Sequence, residues 1–135
     1  MAANDVLLNK AATIERCVTR IRTERGRLVA DEIAQTVEDS VVLNIQRACE
    51  ASIDAAMHVV RVRELGIPQD RRDGFRLLAE AKITDEALCS ALQRMVGFRN
   101  IAVHDYQRIA RPVIDHIVAH RLEDLLRFAR IICAL

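Results

Sequence analysis

The stretch DSVVLNIQRACEASIDAAMHVVRV, residues 39–62, decides the fold. Val41, Ile45, Ala48, Cys49, Ser52, Ala56 and Val59 recur there at the three- and four-residue spacing of one helix face. Val42, Ile53 and Val60 widen the stripe, the pattern of a helix buried on more than one side. Asp39 or Ser40 is a good cap for its start, and Gly66-Ile67-Pro68 terminates it. The stretch therefore predicts one long central helix of about 36 Å at 1.5 Å per residue.

Helical signals continue on both sides. Towards the N-terminus, a helix is expected to begin at Asn4 or Asp5 and to carry Leu8, Ala12, Cys17 and Ile21 on one side, breaking within Arg22–Arg27 around Gly26. Downstream, Asp70 with Asp73 three residues on is placed like a capping box, opening a short helix with Phe75, Leu78 and Ala79. Thr84-Asp85-Glu86 offers a hydroxyl cap followed by two acids, opening a helix with Leu88, Leu92, Met95 and Val96. Pro112 suits the first turn of a last helix whose apolar side is Val113, Ile117, Leu125, Phe128 and Ile132.

The composition agrees. Half of the 135 residues are hydrophobic but only 3% are aromatic, and four glycines and two prolines leave little turn chemistry for strands. We expect an all-α antiparallel up-and-down bundle, with one long central helix and a short extra one, as a single domain over residues 1–135. Cys17, Cys49, Cys89 and Cys133 lie far apart without a CxxC pair and read as reduced, packed thiols. No signal-peptide core and no long uncharged apolar run is present, which predicts a cytoplasmic protein without a membrane span. Twenty basic against nineteen acidic residues exclude binding of nucleic acid by overall charge. Between Ser90 and Pro112, however, Arg94, Arg99, Arg108 and Arg111 face only Asp105, so a local basic patch is expected there.

Polar groups invade the apolar pattern in the same segment. On a helical wheel from Thr84, Arg99 continues the line of Leu88, Leu92 and Met95, so its guanidinium must find a carboxylate, a phosphate or water. Tyr106 returns to within about 20° of Arg99 if the helix persists. Asn100 and His104 form a neighbouring i, i+4 stripe. Arg99 and His104 themselves stand about 140° apart on an ideal helix. Three solutions are open: the helix distorts or ends near His104, the arginine swings across, or a second copy of the chain completes the site. We favour the second copy.

The string RNIAVHDY, residues 99–106, resembles the Arg-x4-His-x-Tyr signature of the HepT toxins, members of the wider HEPN ribonuclease superfamily. DSVVLNIQRACEASID (39–54), LGIPQDRRDGF (65–75), HRLED (120–124) and the order of helices are also similar to that family. The resemblance implies a metal-independent endoribonuclease toxin without cofactors, acting on RNA as a homodimer. It implies Arg99 as the group holding the scissile phosphate and His104 as the proton-transfer residue, imidazole being the side chain suited to that work at neutral pH. Asn100 would orient either one. Tyr106, the sole tyrosine, matches the residue that an MntA-type nucleotidyltransferase antitoxin modifies with AMP, placing bulk and negative charge where RNA phosphate should bind. The alternative is a non-catalytic helical binding partner of a nucleotidyltransferase.

Other polar groups have plainer readings. Asp39 or Asn44 could support the motif from behind, while Glu50 and Arg47 could simply pair on their own helix. Arg71-Arg72 reads as an exposed, solubilising pair, or as a guide for RNA. His116 and His120, with Asp124 a turn on, have metal-ligand spacing, but a solvated face is expected and no metal. His58 reads as a satisfied core or interface residue.

Overall fold

The computed structural model describes residues 2–27 and 29–135, with side chains from Asp5 on. The chain forms α1 (Ala2–Arg25), α2 (Asp31–Val62), α3 (Arg71–Glu80), α4 (Glu86–His104), α5 (Arg111–His116) and α6 (Leu122–Cys133). A single 3-10 turn, Tyr106–Arg108, separates α4 from α5, and a π-helical turn, Ile117–Arg121, joins α5 to α6. No strand occurs among the described residues. α1, α2, α4 and the joined α5–α6 pack as an antiparallel up-and-down bundle. α2 lies at its centre against α1, α3, α4 and α6.

The stripe expected on α2 is the core. Val41, Val42, Ile45, Ala48, Cys49, Ser52, Ile53, Ala56, Val59 and Val60 are all buried. Ser52 avoids an unsatisfied hydroxyl by donating to Ala48 O at 2.9 Å. Phe75 of α3 meets Phe128 of α6 edge-on, ring centroids 5.7 Å apart, closing the layer below α2. α2 ends at Val62 as expected, and Gly66 turns the chain with φ 131°, a conformation open to glycine. Asp70 caps α3 through the Asp73 N–H at 2.9 Å, as its spacing predicts.

Several boundaries and faces differ from expectation. α1 is already helical at Ala2, so neither Asn4 nor Asp5 starts it; the Asn4 side chain lies outside the described residues. Its buried face is Leu7, Ala11, Ile14, Cys17, Val18 and Ile21, whereas Leu8 is 51% exposed: the stripe runs one residue earlier than expected at its start. α2 begins at Asp31, eight residues before Asp39, without a side-chain cap at Ala30. Residues 31–36 are exposed, so no apolar periodicity marks this overhang. The cap of α4 is Asp85, accepting from Leu88 N at 2.7 Å, and Thr84 is buried instead. Ile114 replaces Val113 in the core because α5 runs only six residues before the π turn resets the helical phase. Cys17, Cys49 and Cys89 are buried thiols, but Cys133 is exposed.

An ionic cluster fixes the α2 overhang. Arg25 at the end of α1 reaches Glu38 at 2.8 Å and Asp115 of α5 at 2.7 Å. Arg111 joins the same two carboxylates at 3.4 and 3.2 Å. Three helices are thereby tied beside the segment that follows α4.

Candidate active site

α4 delivers Arg99 to the end of the core and stops one turn later. Leu88, Leu92 and Met95 are buried in a line, and Arg99 continues it, its side chain 17% exposed. The required anion comes from α2. Arg99 Nε lies 2.7 Å from Glu50 Oε2, a close charge contact in which the N–H is not aligned as a hydrogen bond. Arg99 Nη1 donates to Asn100 Oδ1 at 3.3 Å. Glu50 also accepts from Arg71 Nη1 at 2.9 Å through its other oxygen. Burial alone would raise the Glu50 pKa, but the hydrogen bond from Arg71 and the charge of Arg99 outweigh it and hold the carboxyl below its ordinary value.

Sequence reasoning missed this carboxylate as a partner of the motif and paired Glu50 with Arg47. Arg47 instead lines a groove of about 800 Å³ between α1 and α2 with Arg16, Arg20 and Asn44. Asn44 belongs to that groove as well, donating to Ser40 O at 2.8 Å, and is not brought to the motif. Arg71 is committed to Glu50, and Arg72 Nε donates to Gln93 O at 3.2 Å, so the Arg-Arg pair stitches α3 to α2 and α4. Apolar periodicity is silent about such contacts; only the abundance of charges hinted at them.

α4 stays helical through both Arg99 and His104, so the five-residue offset between them persists within the chain. His104 is the last residue of α4 and is exposed, whereas Arg99 and Asn100 are half-buried. Asp105 leaves helical geometry at φ −154°, ψ 64°. Tyr106 therefore does not return to the Arg99 line; it sits in the following turn, 39% exposed. Its hydroxyl donates to Asp39 Oδ1 on the α2 overhang, so of the two supports expected from α2 it is Asp39 that reaches the motif segment. Burial first, then the hydrogen bond to Asp39 and the charges of Asp39 and Glu38, push the Tyr106 phenol up to about 12.

The expected basic patch is largely cancelled by folding. Arg99 faces Glu50, Arg108 lies 3.6 Å from Asp105, and Arg111 meets Glu38 and Asp115. Ile101, Val103 and Leu43, 44%, 41% and 42% exposed, leave apolar surface around the motif instead. The other histidines are placed apart from it. The His116 and His120 rings lie tilted at 49° to each other with centroids 4.8 Å apart, while Asp124 is bound to Arg121 at 2.9 Å. No group of three His, Cys, Asp or Glu residues suited to a metal occurs among the described residues. His58 Nδ1 lies 3.1 Å from Arg61 Nη2, and its buried Nε2 has no hydrogen-bond partner, so it is only half satisfied.

An arginine held at a core edge, an exposed histidine and a hydroxyl in the adjoining turn form a constellation that phosphodiester chemistry can use. Comparison with known proteins agrees. Residues 14–132 match the family model described as Ribonuclease HepT-like. The chain is 47% identical over 131 residues to the mRNA nuclease HepT of Shewanella oneidensis, covering 97% of this chain and 98% of that protein. Among solved structures it is similar to a toxin–antitoxin complex with AMP-PNP, with a TM-score of 0.89 and 46% identity, covering 97% of this chain and 99% of that one. It is also similar to the tri-AMPylated HEPN toxin of Shewanella oneidensis in complex with MNT antitoxin, at TM-score 0.87 and 47% identity, covering 97% and 98% of the two chains. No helix among the described residues is long and apolar enough to cross a membrane. With its fold and nearly its whole length in agreement, the chain belongs to the HepT-like ribonuclease family.

Proposed function

We propose that the protein is an endoribonuclease toxin that cleaves RNA without a metal and is silenced by attachment of AMP to Tyr106 by a nucleotidyltransferase antitoxin. The observation that carries this reading is the placement of three groups. Arg99 is anchored to Glu50, His104 is exposed at the helix end, and Tyr106 is exposed in the next turn. Arg99 holds the scissile phosphate and offsets charge gathering on its oxygens, with Asn100 orienting the guanidinium through the 3.3 Å contact. His104 moves a proton at the attacking hydroxyl or at the leaving oxygen. These side chains supply both the cation and the proton carrier that the reaction needs.

A second copy of the chain completes the site. Exposed Ile101 and Val103 alternate with motif residues, apolar surface that a facing copy would cover. The antitoxin partner is inferred from the relatives, one of them an AMPylated toxin bound to MNT antitoxin. An adenylate on Tyr106 adds negative charge and bulk next to the phosphate-binding residues. The protein acts in the cytoplasm, where RNA and ATP are at hand.

The test is cleavage of labelled RNA by the parent, Arg99→Ala and His104→Ala proteins in the presence of EDTA. Loss of cleavage in both variants, with helical content retained, is expected. Cleavage at the parent rate in either variant refutes the assignment, and EDTA-sensitive cleavage by the parent refutes metal independence.

A further inference from the structure

The α2 overhang, residues 31–38, contributes no buried residue to the core, and the exposed Asp39 follows it. Its two adjacent acids have different surroundings. Glu38 is taken by Arg25 and Arg111. Asp39 has no cation among the described residues; its partners are the neutral donors Gln35, at 2.8 Å, and the Tyr106 hydroxyl. An ionised carboxylate only accepts hydrogen bonds, so the phenol must be the donor. The O–H of the sole tyrosine thus already points at a carboxylate oxygen, while 39% of the residue stays open to an approaching reagent.

We propose that Asp39 is the general base for the modification of Tyr106, a catalytic group that the toxin itself contributes to its own silencing. The inference rests on Tyr106 being the AMP acceptor. In the step, Tyr106 Oη forms a bond to the α-phosphorus of ATP held by the antitoxin. The bond from that phosphorus to the bridging oxygen breaks, and pyrophosphate leaves. The phenolic proton passes along the existing hydrogen bond to Asp39 and then to water. Neutral phenol is a poor nucleophile, so a base in hydrogen-bond contact with it accelerates attack by about 10²- to 10⁴-fold. The charged and titratable groups around the phenol are Asp39 and Glu38 of α2, Arg25 and Arg111 behind Glu38, and His104, Asp105 and Arg108 along its own segment. Asp39 alone among them is hydrogen-bonded to the hydroxyl.

The experiment follows single-turnover AMP transfer by mass spectrometry, with ATP, Mg²⁺ and saturating cognate nucleotidyltransferase, across a range of pH. Asp39→Asn keeps an acceptor for the hydroxyl but removes the base. Its plateau rate for the first adduct is expected to fall about 10²-fold and to rise more steeply with pH than the parent's, as phenolate forms unaided. The concentration of nucleotidyltransferase giving half the plateau should change little. Asp39→Glu, which restores a carboxylate, should recover part of the rate. Any later AMP additions no longer involve the phenol and should proceed at the parent rate. Equal plateau rates for Asp39→Asn and the parent at every pH overturn the proposal. So does a defect confined to the half-saturating concentration, which would make Asp39 a docking residue. Modification of Tyr106→Phe at the parent rate overturns the choice of Tyr106 itself, whatever Asp39 does.

Discussion

Removing the Glu50 carboxylate should loosen Arg99 and destabilise the fold together. The Arg99–Glu50 contact is 2.7 Å long between side chains 17% and 35% exposed, intermediate between a surface pair and a buried one. Unit charges about 4 Å apart attract by about 1 kcal/mol in water and about 4 kcal/mol near a protein surface, before the loss of hydration is subtracted. The Arg71–Glu50 pair, with Arg71 45% exposed, adds at most about 0.5 kcal/mol. Glu50→Ala leaves two guanidiniums facing each other, and we expect a loss of about 2 kcal/mol, of which about 1 kcal/mol is coupling to Arg99. For a chain of this size that lowers Tm by about 6–8 °C. Urea unfolding of the parent, Glu50→Ala, Arg99→Ala and the double variant isolates the coupling at pH 7. Because the folded pKa of Glu50 lies below its ordinary 4.5, the stabilisation is complete above that value. It is lost as pH falls through the folded value. A coupling below about 0.3 kcal/mol at pH 7, or one that does not weaken as pH falls, refutes the reasoning.

Phe128→Ala removes one ring of the buried pair with Phe75 and should cost about 3–5 kcal/mol, read as a lower urea midpoint with an unchanged slope. Asp85→Ala uncaps α4 and frees Arg127, so Tm should drop at pH 7. The Asp85 pKa is held below 3.8 by the Leu88 N–H and then Arg127, so the parent–variant gap should close as pH falls through the folded value. Ile101→Asp places a charge on the apolar surface beside the motif; if a second copy covers it, light scattering should show a dimeric parent and a monomeric variant. A parent that is monomeric at all concentrations refutes the shared site.

Local pattern carried the core of this protein. The α2 stripe, its stop at Gly66-Ile67-Pro68 and the Asp70 cap depend on residues within a few positions of one another, so linear spacing reports them. The motif was legible for the same reason: Arg99 interrupts an apolar line, and a buried guanidinium demands an anion. Contacts between distant residues had no such signature. The anion is Glu50, on a different helix, and the Tyr106 hydroxyl finds Asp39 across 67 residues. Nor did the overhang of α2 announce itself, since an exposed helix has no buried face to print a period on the sequence. Charge counted along the chain suggested a basic patch, but Coulomb's law acts through space, and folding brought Glu38, Glu50 and Asp115 to those arginines. Spacing along the chain thus singled out the polar segment proposed to carry the chemistry. The tertiary structure alone decided which carboxylates hold its residues, because helix packing brings together side chains that the chain keeps far apart.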